Sequence, residues 1–373
     1  MHPLVVLAVL ILTLLYLHRR HRKPTTTLIC TLDEARSLLA NPSTAFTPLQ
    51  SRALPNQRLV TAFGINNSFT TTSLQHHKSF LHTASHLLKL SPSQWASMAQ
   101  LAQSLLPSKH TRTLHLIPFL RTYVLTIILH LFFPAYMPAD EAVVGRLAQL
   151  IHALWVQSKT GAPSLASRQE LSEVMRTLFP DVAENPLNLL LPAYETLWRV
   201  VLRLFIEVHR GPAEWREVLN LYLQRPSTER FRSSRDGVSP MFLVREALRL
   251  YPPTKRVYRA VGEKAWVAID LEALQMDSKV WGEDVAIFRP ERWRFVASER
   301  QAGEMGWMPF GEGCFVCPAK GMFAPRLIAL LVAAVGRVVP AEAMPTAERK
   351  EDLPEKGRLD NERDGYVTLK YCW

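Results

Sequence analysis

The chain has 373 residues, 48% of them hydrophobic and 21% charged, an ordinary globular composition that can fill a large core and excludes a collagen-like or low-complexity chain. Its formal net charge of +11 favours an acidic protein or an anionic membrane surface as partner, and no stretch interleaves basic and aromatic side chains as a nucleic-acid surface would. Four cysteines, Cys30, Cys314, Cys317 and Cys372, are too few and too unevenly spaced for the disulfide framework of a secreted scaffold, so a reducing compartment is expected.

From Pro3 to Leu17 the chain is apolar apart from Thr13 and Tyr16, and the cluster from His18 to Lys23 follows at once. The positive flank sits on the carboxyl side and no small-residue cleavage site follows, which predicts an uncleaved anchor over residues 1–23 with the remainder on the cytosolic side. About 17 helical residues reach roughly 25 Å against a hydrocarbon core of about 30 Å, so snorkelling basic side chains must cover the difference. A buried or interfacial helix is the alternative.

Residues Thr31 to Leu39 read as a short helix with acidic residues near its start and a stop at Asn41–Pro42. The Thr- and Ser-rich run from Ser68 to Ser73 reads as a loop before a helix over Gln75–Leu90, and Tyr123–Phe133 as a core helix. Helical periodicity returns over Asp140–Trp155, Gln169–Leu178 and, longest, Leu189–His209. Arg245–Leu250 is a helix stopped by Pro252 and Pro253. Strand-like pieces follow at Val257–Ala260 and Ala265–Ile269, then an apolar helix over Phe323–Val335. Pro340–Gly365 is charged and turn-rich and predicts a surface loop before a last strand, Tyr366–Tyr371. The fold class is mainly α with a small β portion, and with no linker in sight residues 24–373 form one domain.

The strongest local signal is Pro309-Phe310-Gly311-Glu312-Gly313-Cys314-Phe315-Val316-Cys317-Pro318-Ala319, just before an apolar helix. Glycines at 311 and 313 let the backbone turn sharply and lie flat against a planar ligand while Cys317 is presented by the loop. Cys314-x-x-Cys317 is also a redox or half-zinc spacing, but no second Cys or His pair follows at ligand distance. Upstream, Glu246 and Arg249 lie one turn apart on one helix, and Phe288-Arg289-Pro290-Glu291-Arg292-Trp293 follows. Inside the longest helix stands Pro192-Ala193-Tyr194-Glu195-Thr196.

These three segments, in this order, resemble the cytochrome P450 family, and the Cys317 and Glu195 segments resemble its fungal members. The resemblance implies a shortened cytochrome P450-like fold and haem b, with Cys317 as axial iron ligand in a loop shaped by Phe310, Gly311 and Gly313. A thiolate ligand donates electron density to the haem iron and promotes O–O cleavage. Thr196 and Glu195 would relay protons, and Glu246, Arg249 and Arg292 would form a structural network beneath the loop. The implied function is a haem-thiolate monooxygenase in the endoplasmic reticulum membrane. It would oxidise an apolar small molecule in secondary metabolism, with electrons from an NADPH-dependent flavoprotein reductase.

The sequence also departs from the family. Phe315 stands where Arg or His usually binds a haem propionate, Cys314 precedes it, and Ala319 replaces a usual Gly. His76, His77 and Lys78 are the nearest candidates for the helix that offers a basic residue to the propionates. The interval from Phe133 to Asn185 is short for the helices that roof the pocket. These departures keep two alternatives open: a non-catalytic relative that retains the scaffold, and a haem enzyme that rearranges an oxygenated substrate without a reductase.

Overall fold

Local signals set most helix ends. In this computed structural model, which describes residues 24–40, 46–108, 110–355 and 357–373, Thr47 and Gln50 form a capping box with Pro48 in the first turn, and Ser91 and Gln94 repeat the device. Gly64, at φ 64°, ends the first of these helices in the left-handed conformation. The expected anchor over residues 1–23 and the Asn41–Pro42 stop lie outside the described residues. Among the described residues no helix is long and apolar enough to cross a membrane.

In chain order, β1 (Thr25–Ile29) precedes α1 (Leu32–Ala40), α2 (Pro48–Phe63), α3 (Leu74–Leu87) and α4 (Pro92–Ser104). β2 (Thr113–His115) leads into α5 (Leu116–Phe132), α6 (Glu141–Thr160), α7 (Leu165–Leu178) and α8 (Leu187–Arg210). Then come α9 (Ala213–Gln224), α10 (Thr228–Arg232), α11 (Pro240–Leu250), the hairpin β3 (Arg256–Gly262) and β4 (Ala265–Asp270), and the short helices α12 (Leu271–Gln275), α13 (Ser278–Trp281) and α14 (Glu299–Glu304). Helix α15 (Phe323–Val335) and the strands β5 (Met344–Thr346) and β6 (Lys370–Cys372) close the chain. β4 lies between β1, parallel to it, and β3, antiparallel, and β6 lies between β2 and β5. The mainly helical, small-sheet expectation holds; α2, α4, α9 and β1 were not legible as elements in the sequence.

Helix α8 is the centre of the core. It packs on α5, α11 and α15, and from Leu197 to Val208 every residue is buried. Its interior Pro192 has no N–H, so the Asn188 carbonyl one turn earlier is left without its helical partner. The Asn67 side-chain amide fills the gap at 3.0 Å, and the Asn188 side chain accepts the Asn66 N–H at 2.8 Å. The first turns of α8 are thereby stapled to the loop after α2.

Four charged residues, Glu195, Arg199, Arg203 and Glu207, recur at every fourth position along this buried helix and so lie on one stripe. Buried charge needs partners; Glu207 pairs with Arg210 and accepts from Tyr251, and the carboxyl-terminal segment supplies most of the others. Arg199 donates to the carbonyls of Pro253 at 2.6 Å and Asn361 at 3.0 Å, Arg203 to those of Asp360 and Glu362, and Arg363 pairs with Glu195. This corrects the expected surface loop over 340–365, because Asp352, Leu359, Asn361 and Arg363 are all buried. The last strand is also shorter than Tyr366–Tyr371, since Tyr366 takes φ 71° and breaks the extended run.

Asp352 holds that segment in place by accepting from the Tyr366 and Thr368 amides, at 2.7 and 2.9 Å, the Thr368 hydroxyl and Arg349. Its carboxyl sits below its ordinary value: burial works in the opposite direction, and the hydrogen bonds from Thr368, Arg349 and Tyr366 outweigh it.

Two outcomes are expected. Asn67→Ala leaves the Asn188 carbonyl unpaired and should lower unfolding free energy by about 1–3 kcal/mol in urea titrations. Asp352 has a depressed folded value, so its stabilisation is present above the unfolded value of about 3.9 and is lost as pH falls through the folded value. The stability difference between the wild type and Asp352→Asn should therefore shrink as thermal melts are moved from pH 6 towards pH 2.

Candidate functional site

The site is built from α11 outward. Glu246 is fully buried, and its two carboxylate oxygens accept from five donors: Arg249 Nε (2.9 Å) and Nη2 (2.8 Å), Arg292 Nε (2.9 Å), Trp293 Nε1 (2.9 Å) and the Arg289 amide (3.1 Å). The remaining donors of the two arginines are used as well. Arg249 Nη1 reaches the Gln275 carbonyl at 3.2 Å, and Arg292 reaches the carbonyls of Trp281, Asp284 and Ile287. The structure thus brings together Glu246, Arg249 and Arg292 in one bidentate, desolvated cluster.

Two side chains carry this rigidity to the cysteine loop. The Gln275 amide donates to the last carbonyls of α11 while its oxygen accepts the Met308 N–H at 3.0 Å, and Trp307 Nε1 donates to the Arg245 carbonyl at 3.3 Å. Trp281, Trp293, Trp307 and Phe310 follow one another with ring centroids 5.4, 5.4 and 6.3 Å apart. The loop then closes on itself, the Gly311 amide donating to Met308 and the Cys317 amide to Phe310, at 3.0 and 2.9 Å. Gly311 and Gly313 have φ of 71° and 72°, and a Cβ on Gly313 would come within 2.5 Å of the Leu39 carbonyl oxygen. Glycine at 313 is required both by conformation and by the close approach of α1.

Cys317 is half-buried and Cys314 is exposed. Burial pushes the Cys317 thiol up, opposed by a hydrogen bond from the Ala319 amide and by the charge of Arg52. Among the described residues no group of three or more His, Cys, Asp or Glu side chains could hold a metal ion.

The Phe315 ring lies against two guanidinium groups, Arg52 at 4.6 Å and Arg259 at 5.2 Å, and edge-on to His77 at 5.6 Å. Among the described residues neither arginine has a carboxylate partner, and Arg259 Nε is buried with no acceptor. Burial and then repulsion from Arg259 push Arg52 down to about 9, and burial pushes Arg259 down to about 10. Arg52 donates to Ser68 Oγ at 3.0 Å, which stands 3.0 Å from His77 Nδ1. His77 is lowered by burial and by Arg52. A half-buried thiol near Arg52, and a second guanidinium with an orphaned N–H against the same Phe315 ring, suit a ligand that offers a metal to sulfur and carboxylates to guanidiniums. Haem meets that description. The cations come from Arg52 and Arg259 rather than from position 315. The sequence signal for Arg259 is its inward position in β3, where it alternates with the exposed Tyr258.

Glu195 and Thr196 are adjacent on α8 and their side chains diverge by about 100°. The Thr196 hydroxyl donates to the Pro192 carbonyl at 3.3 Å. One Glu195 oxygen is taken by Arg363, and the other is buried without a partner. Nothing in the local sequence of α8 marks Arg363, which lies 168 residues on.

No family model matches the chain. Part of it is similar to curated cytochromes P450: 34% identical over 87 residues to CYP13A4 of Caenorhabditis elegans, covering 20% of this chain and 16% of that protein. A stretch of 101 residues is 30% identical to CYP72A616 of Paris polyphylla, covering 23% and 20%. The matched part thus spans a fifth or less of these relatives, neither of which is fungal. The likeness in structure is much broader. CYP175A1 from Thermus thermophilus superimposes with a TM-score of 0.61 at 16% identity over 86% of this chain and 82% of that one. Cytochrome P450SP alpha in complex with (R)-ibuprophen does so with a TM-score of 0.63 at 15% identity over 93% and 90%. The fold of the chain is the cytochrome P450 fold.

Replacing Glu246 by Gln strands two buried guanidinium groups. Chemical denaturation should show a loss of about 3–5 kcal/mol, the range for breaking one side of a buried ion pair. A loss below about 1 kcal/mol, typical of an exposed pair, would contradict the central role of this carboxylate.

Proposed function

We propose that this chain is a haem-thiolate monooxygenase that oxidises an apolar small molecule. One observation carries the reading. The buried Glu246 cluster is tied through Gln275, Met308 and Phe310 to Cys317, whose thiol feels the charge of Arg52, and Arg52 and Arg259, which lack carboxylate partners, both lie against Phe315 of the same loop. Haem b is the cofactor this set suits, with Cys317 as iron ligand and Arg52 and Arg259 as partners for its carboxylates. When bound, it supplies oxygen activation, in which one atom of dioxygen enters the substrate and the other leaves as water, with two electrons from an NADPH-dependent flavoprotein reductase.

The chain's own residues do the rest. Phe310, Gly311 and Gly313 shape the loop that presents the thiol, and the Ala319 amide and Arg52 favour its ionised form. Thr196 holds a hydroxyl proton at Oγ1 on the Pro192 carbonyl, from which it can turn to pass it on. Glu195 would resupply that proton only after Arg363 releases its oxygen and the freed carboxylate takes up a proton from water. Residues 1–23 anchor the protein in the endoplasmic reticulum membrane, the body faces the cytosol, and the basic surface suits an acidic reductase. The resemblance of the Cys317 and Glu195 segments to fungal members supports a place in secondary metabolism.

A second reading, a relative that keeps the scaffold without turnover, is favoured by the Glu195–Arg363 pair, which occupies the carboxylate a proton relay would use. The ferrous carbon-monoxide difference spectrum of haem-supplied protein, wild type beside Cys317→Ser, tests both. A thiolate-type Soret band that vanishes in the variant is the expected result. Absence of haem from folded wild type would overturn the proposal, and a band without reductase-dependent consumption of NADPH would establish the second reading.

A further inference from the structure

Around Glu195 the interior holds far more positive than negative charge. Arg58 of α2, Arg121 of α5, Arg199 of α8 and Arg363 of the carboxyl-terminal segment all bear on one another or on Glu195, with Lys159 of α6 at the rim. Glu195 is the one buried carboxylate among them. The other nearby acids, Glu362 and Asp364, are 75% and 60% exposed, so water screens them. Arg58, Arg121 and Arg199 have no carboxylate partner among the described residues. Arg58 donates to Ser158 Oγ at 2.6 Å, and Arg199 to two carbonyls.

Histidine adds no compensation. His152 has Asp364 Oδ1 3.2 Å from Nε2 and Arg363 Nη1 3.4 Å from Nδ1. Burial and the charges of Arg121, Arg363 and Arg199 push it down to about 3, so it is neutral, donating at Nε2 and accepting at Nδ1. That tautomer leaves no lone pair for Arg121, whose Nη2 stands 3.4 Å from Nε2.

Several donors in this region are unused. Arg121 Nε, Arg199 Nε, Arg363 Nε and Trp198 Nε1 are buried with no acceptor, as is the Tyr194 hydroxyl. Such groups cost about 1–3 kcal/mol each when left unpaired. Aromatic rings line the same region: Arg58 and Arg363 each lie 5.0 Å from the Trp155 ring, and Arg121 lies 4.6 Å from that of Trp198.

We propose that this junction of α2, α5, α6, α8 and the segment around Arg363 binds the carboxylate of an otherwise apolar ligand, with Arg58, Arg121, Arg199 and Arg363 facing the anion. The inference rests on the proposed function in taking that ligand as the substrate, and it adds a carboxylate to the apolar molecule. A carboxylate arriving here supplies the negative charge the cluster lacks. It also competes with Glu195 for Arg363, so ligand binding and release of the Glu195 oxygen are one event.

The test is calorimetric titration of the full chain at low salt with octanoate and with octan-1-ol. Octanoate should bind at least about tenfold more tightly, the equivalent of one charge-assisted hydrogen bond. Arg58→Gln should remove most of that preference and Arg58→Lys should keep it, while octanol binding stays unchanged in both. Equal affinity for acid and alcohol, or an undiminished preference in folded Arg58→Gln, overturns the proposal. The titration does not depend on turnover. A charge preference without a carbon-monoxide band leaves the anion site standing and removes the monooxygenase, whereas a band with no charge preference does the reverse.

Discussion

One carboxylate organises the half of the molecule that matters for chemistry. Glu246 takes five hydrogen bonds from four residues, the farthest of them forty-seven positions along the chain, which fixes α11, the Arg292–Trp293 turn and, through Gln275, the run into the cysteine loop. A buried ion pair of this kind contributes little net stability compared with apolar packing of the same volume. What it provides is specificity, because both guanidiniums are held as flat forks and every donor has a named acceptor. The loop that carries Cys317 inherits its position from that cluster rather than from its own backbone bonds.

Much of this was legible in the sequence, and for a physical reason: the motifs are local. Glu246 and Arg249 are one turn apart, Arg292 sits in a recognisable aromatic and proline setting, and the glycines before Cys317 answer a conformational need that no other residue meets. Helix positions followed from apolar spacing wherever the stripe was long, as in α8 and α15. The failures share a cause as well. The segment from 340 to 365 is polar because it answers a polar stripe on α8, and polarity read one residue at a time means solvent exposure. The partners Arg52, Arg259 and Arg363 were missed because their meaning lies in what they meet across the fold. Arg259 alone left a trace, a charge on the inward side of a strand.

Arginine is used in two opposite ways in one structure. Around Glu246 two guanidiniums are saturated by acceptors and serve only to hold geometry. Beside Cys317 and around Glu195 several are left partly unanswered, since Arg259, Arg121, Arg199 and Arg363 each keep a buried N–H with no acceptor. Burial alone does not distinguish the two uses, since Arg249, Arg199 and Arg259 are all buried. Buried arginine also accounts for part of the chain's positive charge without invoking its outer surface.

The proline inside α8 has a consequence for how the molecule breathes. Because the Asn188 carbonyl is completed by a side chain from the loop after α2, the first turns of the helix cannot fray alone; they open only when that loop lifts, and the loop cannot lift without uncovering them. Two stretches some 120 residues apart therefore form a single opening unit, with amide-exchange protection that rises and falls together. Ala193, Glu195 and Thr196 lie just past the hinge of that unit, so local opening at the staple reaches the site's helix before it reaches the core.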